Sequence, residues 1–513
     1  MKSKVPVISV RGISKIFGKV KACNNVNIDI YPGEIHALLG ENGAGKSTLI
    51  NILSGVYSPD GGNIKVKGME KTFSSPKDST QCGIGTIYQH FKLVNALTAR
   101  ENIMLGQEKK IFISRKSVDE KVKEISFKYG IEVDLDKYVG DMSVGEKQNL
   151  EILKVLYRGA EVLILDEPTA VFTPQETEKL FNIMKKMREQ GCGIIFITHK
   201  MDEVMEVSDK ITVLRKGETV ATLPKFKTNA KELTELMVGR SIDLAIKKID
   251  KLPGKEVLEI KNLRALNTDG MEAVKNISFN VKEGEILGVA GITGCGQKEL
   301  CEALAGIGNV SQGEIIFNGE NLKGKNPREF IKRGISMSFI PEDRLGMGLV
   351  ASMNMVDNLI LKSYHTQKGP FISKKAAVKD SLELIDTLEI KTPGINYPIR
   401  YLSGGNIQKI LLGRELSSSP KVLIMAYPVR GLDINTCYNI YDLINKEKEK
   451  GTSIIFVGED LDVLMELCDR IMVLCHGEIS GIIDAQEATR EKLGLMMLGN
   501  SKEKGEELLV KAN

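Results

Sequence analysis

Two short stretches hold residues whose types and spacing suit phosphate chemistry. Gly40-Glu-Asn-Gly-Ala-Gly-Lys-Ser47 places glycines, a lysine and a hydroxyl between the apolar run Ile35 to Leu39 and a helical stretch from Thr48 to Leu53. The glycines let successive backbone N–H groups close around phosphate oxygens, and the following helix adds its positive end. In such a loop Lys46 reaches the outer phosphates and Ser47 is placed to ligate Mg²⁺. A chance Gly-rich turn is the alternative, and the strand and helix on either side argue against it. About 120 residues further on, the buried run Val162-Leu-Ile-Leu ends in Asp166-Glu167-Pro168. Phosphate-loop enzymes hold magnesium with a strand tip of this kind. Asp166 would bind the metal largely through water, and Glu167 would orient and deprotonate an attacking water. Alone, the tripeptide could start a surface turn; behind a phosphate loop it reads as the other half of one site. His199 follows Ile194 to Ile197, again at a strand's carboxyl end, where open parallel sheets bind ligands. A single histidine proves little, and the other histidines read as structural or solvated.

The elements that must position these residues are written twice. Val26 to Gly40 (VNIDIYPGEIHALLG) recurs as Ile277 to Gly291 (ISFNVKEGEILGVAG), an offset of 251 residues. Met142-Ser-Val-Gly145 pairs with Leu402-Ser-Gly-Gly405 and Val162-Leu-Ile with Val422-Leu-Ile, both at an offset of 260. In each copy short apolar strands bounded by Gly alternate with helical stretches, the rhythm of a largely parallel sheet covered by helices, so the fold class is α/β. Between Asn102 and Gly159 the strands give way to a helical insert. There Ser117 and Glu120 spell a capping box, and Val118, Val122, Ile125 and Tyr129 share one face before Gly130. The polar stretch Ser241 to Lys255, closing on Pro253-Gly254, predicts a linker. The expected division is 5–240 for the first domain, 241–255 for the linker, 256–500 for the second domain and 501–513 for a tail.

Length and composition bound the remaining possibilities. A chain of 513 residues is about twice an ordinary compact domain, and 42% hydrophobic with 27% charged residues is globular composition. Lys and Arg total 71 against 67 Asp and Glu, a net +4 spread thinly, which leaves no polyanion footprint and no expectation of nucleic acid. Eight cysteines without a CxxC pair read as reduced and buried, as in a cytoplasmic protein. No stretch approaches the roughly 18 apolar residues of a membrane span, so membrane contact is expected to be peripheral.

Together these motifs resemble the ATP-binding cassette ATPases that drive transporters, over nearly the whole chain. The resemblance implies two tandem phosphate-loop domains, each with a RecA-like core, an antiparallel β subdomain and a helical subdomain. It implies ATP, with Mg²⁺ held by Ser47, Gln89 and Asp166. Gln89 in Ile87-Tyr-Gln-His-Phe91 matches the glutamine that joins core to helical insert, and its alternative is an exposed loop amide. Phe17 in Ser14-Lys-Ile-Phe-Gly18 matches the ring that stacks on adenine, and its alternative is strand core. Gly40, Glu41, Asn42, Gly43, Ala44, Gly45, Lys46, Ser47 and Thr48 match the nucleotide-binding loop. Lys46, Gln89, Glu167 and His199 match the catalytic set. The family signature stands intact at Leu402-Ser403-Gly404-Gly405 and altered at Met142-Ser143-Val144-Gly145. Such a turn opens a helix and clamps the γ-phosphate, acting in this family across a head-to-tail pair.

The second copy departs in a patterned way. Gln297 stands where Lys46 sits, Ala426 and Tyr427 replace Asp166 and Glu167, and Glu459 replaces His199. Lys298 is one residue displaced, about 100° round a helix, and is no obvious substitute. One competent site is expected, from the first phosphate loop and the Ser403 signature, with both defects falling in the other. This architecture resembles importers of simple sugars such as ribose, galactose or xylose, and their nucleoside-importing relatives. The spellings Tyr88 to Val94, Met425 to Gly431 and Leu493 to Gly499 resemble the nucleoside branch, which works with two membrane permeases and an extracytoplasmic lipoprotein receptor. The resemblance therefore implies an ATPase at the cytoplasmic face of the membrane. Soluble tandem cassettes acting on ribosomes or DNA fit less well, because the linker is short and only one copy keeps its base. A non-hydrolysing regulator is argued against by the retained Lys46, Asp166, Glu167 and His199.

Overall fold

The computed structural model describes residues 5–18, 20–88, 91–106, 115–169, 172–198, 200–239, 246, 248–249, 253–292, 294–339, 348–362, 364, 367, 371–417 and 419–499. The chain divides into two compact units, Met1–Asp243 and Leu244–Asn513. Gln89, His199, most of the expected linker and the tail from 501 lie outside the described residues.

In the first unit β1 (Ile8–Phe17) pairs antiparallel with β2 (Val20–Ile30) and β4 (Gly61–Val66), and β5 (Met69–Lys71) closes the sheet in the order β2-β1-β4-β5. Alternation along β1 turns Ile8, Val10 and Ile13 inward. A second sheet holds β3 (Ile35–Leu39), β6 (Ile84–Ile87), β7 (Val162–Asp166), β8 (Gly193–Ile197), β9 (Lys210–Arg215) and β10 (Glu218–Pro224), in the order β10-β9-β3-β8-β7-β6. It is parallel except for the edge hairpin β9-β10. Every residue of β3 and β8 is buried, as expected of strands covered on both faces. One core lies between the two sheets and takes in Leu49, Ile50, Ile52 and Leu53 of the helix Lys46–Leu53. Each such fully buried side chain contributes about 1.5–3 kcal/mol of apolar transfer. The phosphate-loop helix is thereby bolted down by its underside, while Ser47 in its first turn is exposed.

The helical insert comprises Ala99–Met104, Arg115–Tyr129 and Val144–Tyr157. Val118, Val122 and Ile125 are buried and Tyr129 packs against the same core, while Gly130 leaves the helix at φ 70°. The Ser117–Glu120 capping box is not formed at this helix's start. The helix is already under way at Arg115, so the amide of Ser117 lies within the first turn and Ser117 is not the flanking cap residue. Likewise the phosphate-loop helix starts at Lys46, two residues ahead of the expected Thr48.

The second unit repeats the plan. β11 (Glu256–Leu266), β12 (Glu272–Lys282), β14 (Asn309–Phe317) and β15 (Glu320–Asn321) form the antiparallel sheet. β13 (Ile286–Gly291), β16 (Ile335–Phe339), β17 (Val422–Ala426), β18 (Ser453–Val457), β19 (Arg470–Cys475) and β20 (Glu478–Asp484) form the mainly parallel one, in the order β16-β17-β18-β13-β19-β20. Within the expected linker, Lys248 is fastened to this unit, donating to the Cys468 carbonyl at 2.7 Å. None of the eight cysteines is joined in a disulfide; six are buried, whereas Cys82 and Cys437 are half-buried rather than enclosed. Among the described residues no helix is long and apolar enough to cross a membrane.

Candidate functional site

Gly43 and Gly45 take φ values of 82° and 102°, a region that favours glycine. At Gly45 an added Cβ would stand 2.4 Å from the Ala22 carbonyl oxygen, so both the conformation and the close approach of β2 require glycine. At Gly40 a Cβ would meet the Leu214 carbonyl at 2.5 Å. The loop is closed by the Ala44 amide donating to the Glu41 carbonyl at 3.0 Å. Asn42, Gly43 and Ser47 are exposed, Thr48 is half-buried and Ala44 is buried, so the loop presents its mouth to solvent. Lys46, the first residue of the helix, is buried. Its ammonium donates to the carbonyls of Gly40 at 2.5 Å and Glu41 at 3.1 Å. Burial lowers its pKa, opposed by the nearby charges of Glu167, Asp166 and Glu41.

The structure therefore brings Lys46 and the two strand-tip carboxylates into one electrostatic cluster. Asp166 ends β7, and burial, then the charge of Glu167, pushes its pKa up to about 6 against the pull of Lys46. Glu167 adopts φ 47°, uncommon for a residue with a side chain, and its amide donates to the Ile197 carbonyl at 2.9 Å. Phe17 is 43% exposed at the β1–β2 turn, with an edge-on contact to Tyr57 at 5.4 Å between centroids; it is not strand core. Gln89 and His199 follow β6 and β8 in the chain but cannot be placed against these groups, since they lie outside the described residues.

Sequence reasoning missed a polar network beneath this site. Glu203, buried in the helix Met201–Val207, accepts with Oε2 from the hydroxyl of Thr169 at 2.7 Å and from that of Thr198 at 2.9 Å. Lys200 adds a 3.3 Å ion pair to Glu203 and donates to the Thr169 carbonyl at 3.2 Å. Thr169 lies two residues past Glu167, and Thr198 immediately precedes His199. The signal was present in the repeat: at the 260-residue offset these three positions become Val429, Gly458 and Val463 together.

In the second unit the same backbone carries different chemistry. Gly294 and Gly296 keep φ 91° and 98°, and a Cβ on Gly296 would stand 2.5 Å from the Ala273 carbonyl. Gln297 donates its amide to the Ile292 carbonyl at 3.0 Å, the counterpart of the Lys46 bond to Glu41. Lys298 points elsewhere, pairing with Glu302 at 3.8 Å. Tyr427 keeps the left-handed turn at φ 52°, with its amide on the Val457 carbonyl at 2.9 Å. Beside it Arg430 pairs with Glu459 at 3.3 Å and lies 5.9 Å from the tyrosine ring.

The two signature turns also differ. Ser143 caps the helix Val144–Tyr157 with a full capping box. Its hydroxyl accepts from the Glu146 amide at 3.2 Å, and its own amide donates to the Glu146 carboxylate at 2.7 Å. Glu146 is further held by Lys137 at 2.8 Å. That helix end is thus occupied by a carboxylate of its own. Ser403 opens the helix Gly404–Leu416 without a side-chain cap, and its hydroxyl accepts from the neutral side chain of Asn406 at 2.8 Å. A Cβ on Gly405 would lie 3.7 Å from Asp433. The buried Gln408 clips this helix to the Pro428 carbonyl at 2.6 Å; its counterpart Gln148 has an unpartnered Nε2 among the described residues.

Residues 23–170 and 274–429 match a family model described as ABC transporter. The chain is 42% identical to the guanosine import ATP-binding protein NupO of Bacillus subtilis, with 96% of this chain and 98% of that protein covered. It is 40% identical to the nucleoside import ATP-binding protein NupA of Lactococcus lactis subsp. cremoris over the same shares. It is 38% identical to the ribose import ATP-binding protein RbsA 1 of Rubrobacter xylanophilus, covering 96% and 99%.

Proposed function

The chain belongs to the ABC transporter ATP-binding family, and from that premise we propose that it is the ATP-hydrolysing subunit of an importer that takes up nucleosides. The observation that carries the reading is the clustering of Lys46, Asp166 and Glu167 on one backbone plan whose second copy keeps the plan and lacks all three groups. The open loop amides and Lys46 bind the phosphates, and Phe17 offers its exposed ring to adenine. Glu167, aimed by its left-handed turn, takes a proton from the attacking water, and His199 and Gln89 complete the catalytic set.

The donor set fits Mg²⁺. Burial, and after it the neighbouring charge of Glu167, raises the proton affinity of Asp166 at this strand tip, and Ser47 offers an exposed hydroxyl. Among the described residues no cluster of three or more His, Cys, Asp or Glu is gathered to cage a metal. The ion would be held by Asp166, the Ser47 hydroxyl, Gln89, water and substrate phosphates. When bound, it neutralises charge on the phosphate oxygens.

Ser403, Gly404 and Gly405 are read as the clamp for the γ-phosphate bound at the first phosphate loop. The reading is supported by a helix end that carries a neutral Asn406 where the altered signature carries Glu146. ATP would draw the units together and hydrolysis release them, because a ligand drives a conformational equilibrium by its differential affinity. The chain would work peripherally at the cytoplasmic face of the membrane, where two integral-membrane permeases supply the pathway and an extracytoplasmic receptor supplies the cargo pocket.

Nucleoside cargo rests on the 42% and 40% identities to guanosine and nucleoside import proteins. Simple-sugar cargo is the second reading, favoured by the ribose relative at 38%. Reconstitution with the permeases and receptor, scoring uptake of labelled guanosine against labelled ribose, decides between them. Guanosine uptake lost in Glu167→Gln is the expected result; ribose uptake alone would sink the nucleoside reading.

A further inference from the structure

Thr169 lies just past the Asp166–Glu167 carboxylates and Thr198 just past β8, and among the described side chains only Glu203 accepts a hydroxyl from both. Its Oε2 takes the Thr169 hydroxyl at 2.7 Å and the Thr198 hydroxyl at 2.9 Å. All three side chains are buried. Lys200 reinforces the clasp from its open side through Glu203 and the Thr169 carbonyl, and its amide donates to the Thr198 hydroxyl at 3.1 Å. A buried carboxylate with two hydroxyl donors is costly to leave half-satisfied, so the spacing of its donors is strongly fixed. In the second unit, where the turns carry Tyr427 and Glu459, the clasp positions are Val429, Gly458 and Val463. Val429 and Val463 pack there on an apolar core. The clasp is absent where the chemistry is absent, although the strands, the left-handed turn and its backbone hydrogen bond are all kept. Holding the fold together does not require it.

We infer that Glu203, through Thr169 and Thr198, is a positioning residue that fixes the spacing between the segment following Asp166–Glu167 and the end of β8 at Thr198, the residue before His199 in the chain. This rests on the proposed assignment of Glu167 and His199 to hydrolysis. Misplaced catalytic groups slow the chemical step while leaving nucleotide affinity to the phosphate loop alone.

The test uses the full chain, with kcat and KM for MgATP, ADP affinity and thermal midpoint measured side by side. Thr198→Val removes the hydroxyl at constant shape and Thr198→Ser keeps it. The expected result is a fall of about tenfold in kcat for Thr198→Val, with KM and ADP affinity unchanged and a thermal midpoint lowered by the half-satisfied Glu203, and recovery of kcat to within about threefold in Thr198→Ser. Glu203→Val, which installs the second unit's residue, should fall further; if it does not fold, the Thr198 pair carries the test. Wild-type kcat in Thr198→Val overturns the inference, as does a loss shared equally by kcat and ADP affinity, or a failure of serine to restore. Glu167→Gln is run alongside. Retained turnover there would condemn the assignment of the base, whereas its loss together with an indifferent Thr198→Val condemns the clasp alone.

Discussion

In the first unit a buried ammonium, from Lys46, donates to the loop carbonyls; in the second an amide, from Gln297, makes the matching bond. The glycine torsions of the two loops agree to within about ten degrees, and Glu167 and Tyr427 share one unusual backbone conformation. Left-handed backbone at a side-chain-bearing residue costs on the order of 1–3 kcal/mol. That cost is kept at Tyr427, where no carboxylate needs aiming. The turn is therefore a property of the strand junction, held by the turn residue's own amide donating to a carbonyl of the neighbouring strand. What separates the units is side-chain chemistry at the lysine, the two carboxylates, the clasp beneath them and the signature helix ends.

The hardest blow to that contrast falls at the charged groups. Lys46→Ala and Glu167→Gln should each reduce ATP turnover by about two orders of magnitude or more, while Gln297→Ala costs less than about threefold. Equal losses at Lys46 and Gln297, read in a steady-state phosphate-release assay, would erase the asymmetry. Next come the signatures. Ser403→Ala should lower kcat by about tenfold, whereas Ser143→Ala leaves kcat within about twofold and costs about 1 kcal/mol of stability through its lost cap. The third test looks for what the units share: Gly45→Ala and Gly296→Ala should destabilise their own units comparably, by about 1–3 kcal/mol, since each meets a carbonyl at a similar distance and a positive φ. Calorimetry that found only one of them destabilising would mean the backbones differ after all.

The smallest effect concerns acid. His36, on β3, is wholly buried between Glu34 at 3.0 Å and the Thr212 hydroxyl at 2.7 Å, and burial lowers its pKa despite the pull of Glu34. Its folded pKa is below its unfolded value, so the unfolded state binds the extra proton. Stability from this group is complete above the unfolded pKa, near 6.5, and declines as pH falls below it. The second unit has Leu287 at this position. Hydrogen exchange at pH 7 and pH 5.5 should show β3 losing protection relative to β13, and His36→Leu should remove the difference.

Much of this arrangement was legible because the chain repeats itself. The phosphate loop, the strand-tip carboxylates and the Ser403 turn all sit in local patterns whose glycines and apolar runs dictate their geometry. Lys298 was recognisable as displaced from helical phase alone. The clasp at Glu203 was not, because Thr169, Thr198 and Glu203 belong to three different elements and meet only once β7 and β8 are paired. The box at Ser117 misled for the opposite reason: a local spelling looked complete, yet the helix was already running. The difference between Ser143 and Ser403 depended on a residue three positions on, whose charge matters only when its side chain folds back on the cap.

The distribution of sulfur has a practical corollary. Desolvation pushes Cys23 up to about 11 and Cys192 and Cys301 up to about 12, leaving them scarcely reactive as nucleophiles near neutrality. The half-buried thiols are two, Cys82 in one half and Cys437 in the other. The unaltered chain thus offers one native attachment point per half for a maleimide dye, and paired fluorophores there could follow the halves through a turnover cycle without engineered substitutions.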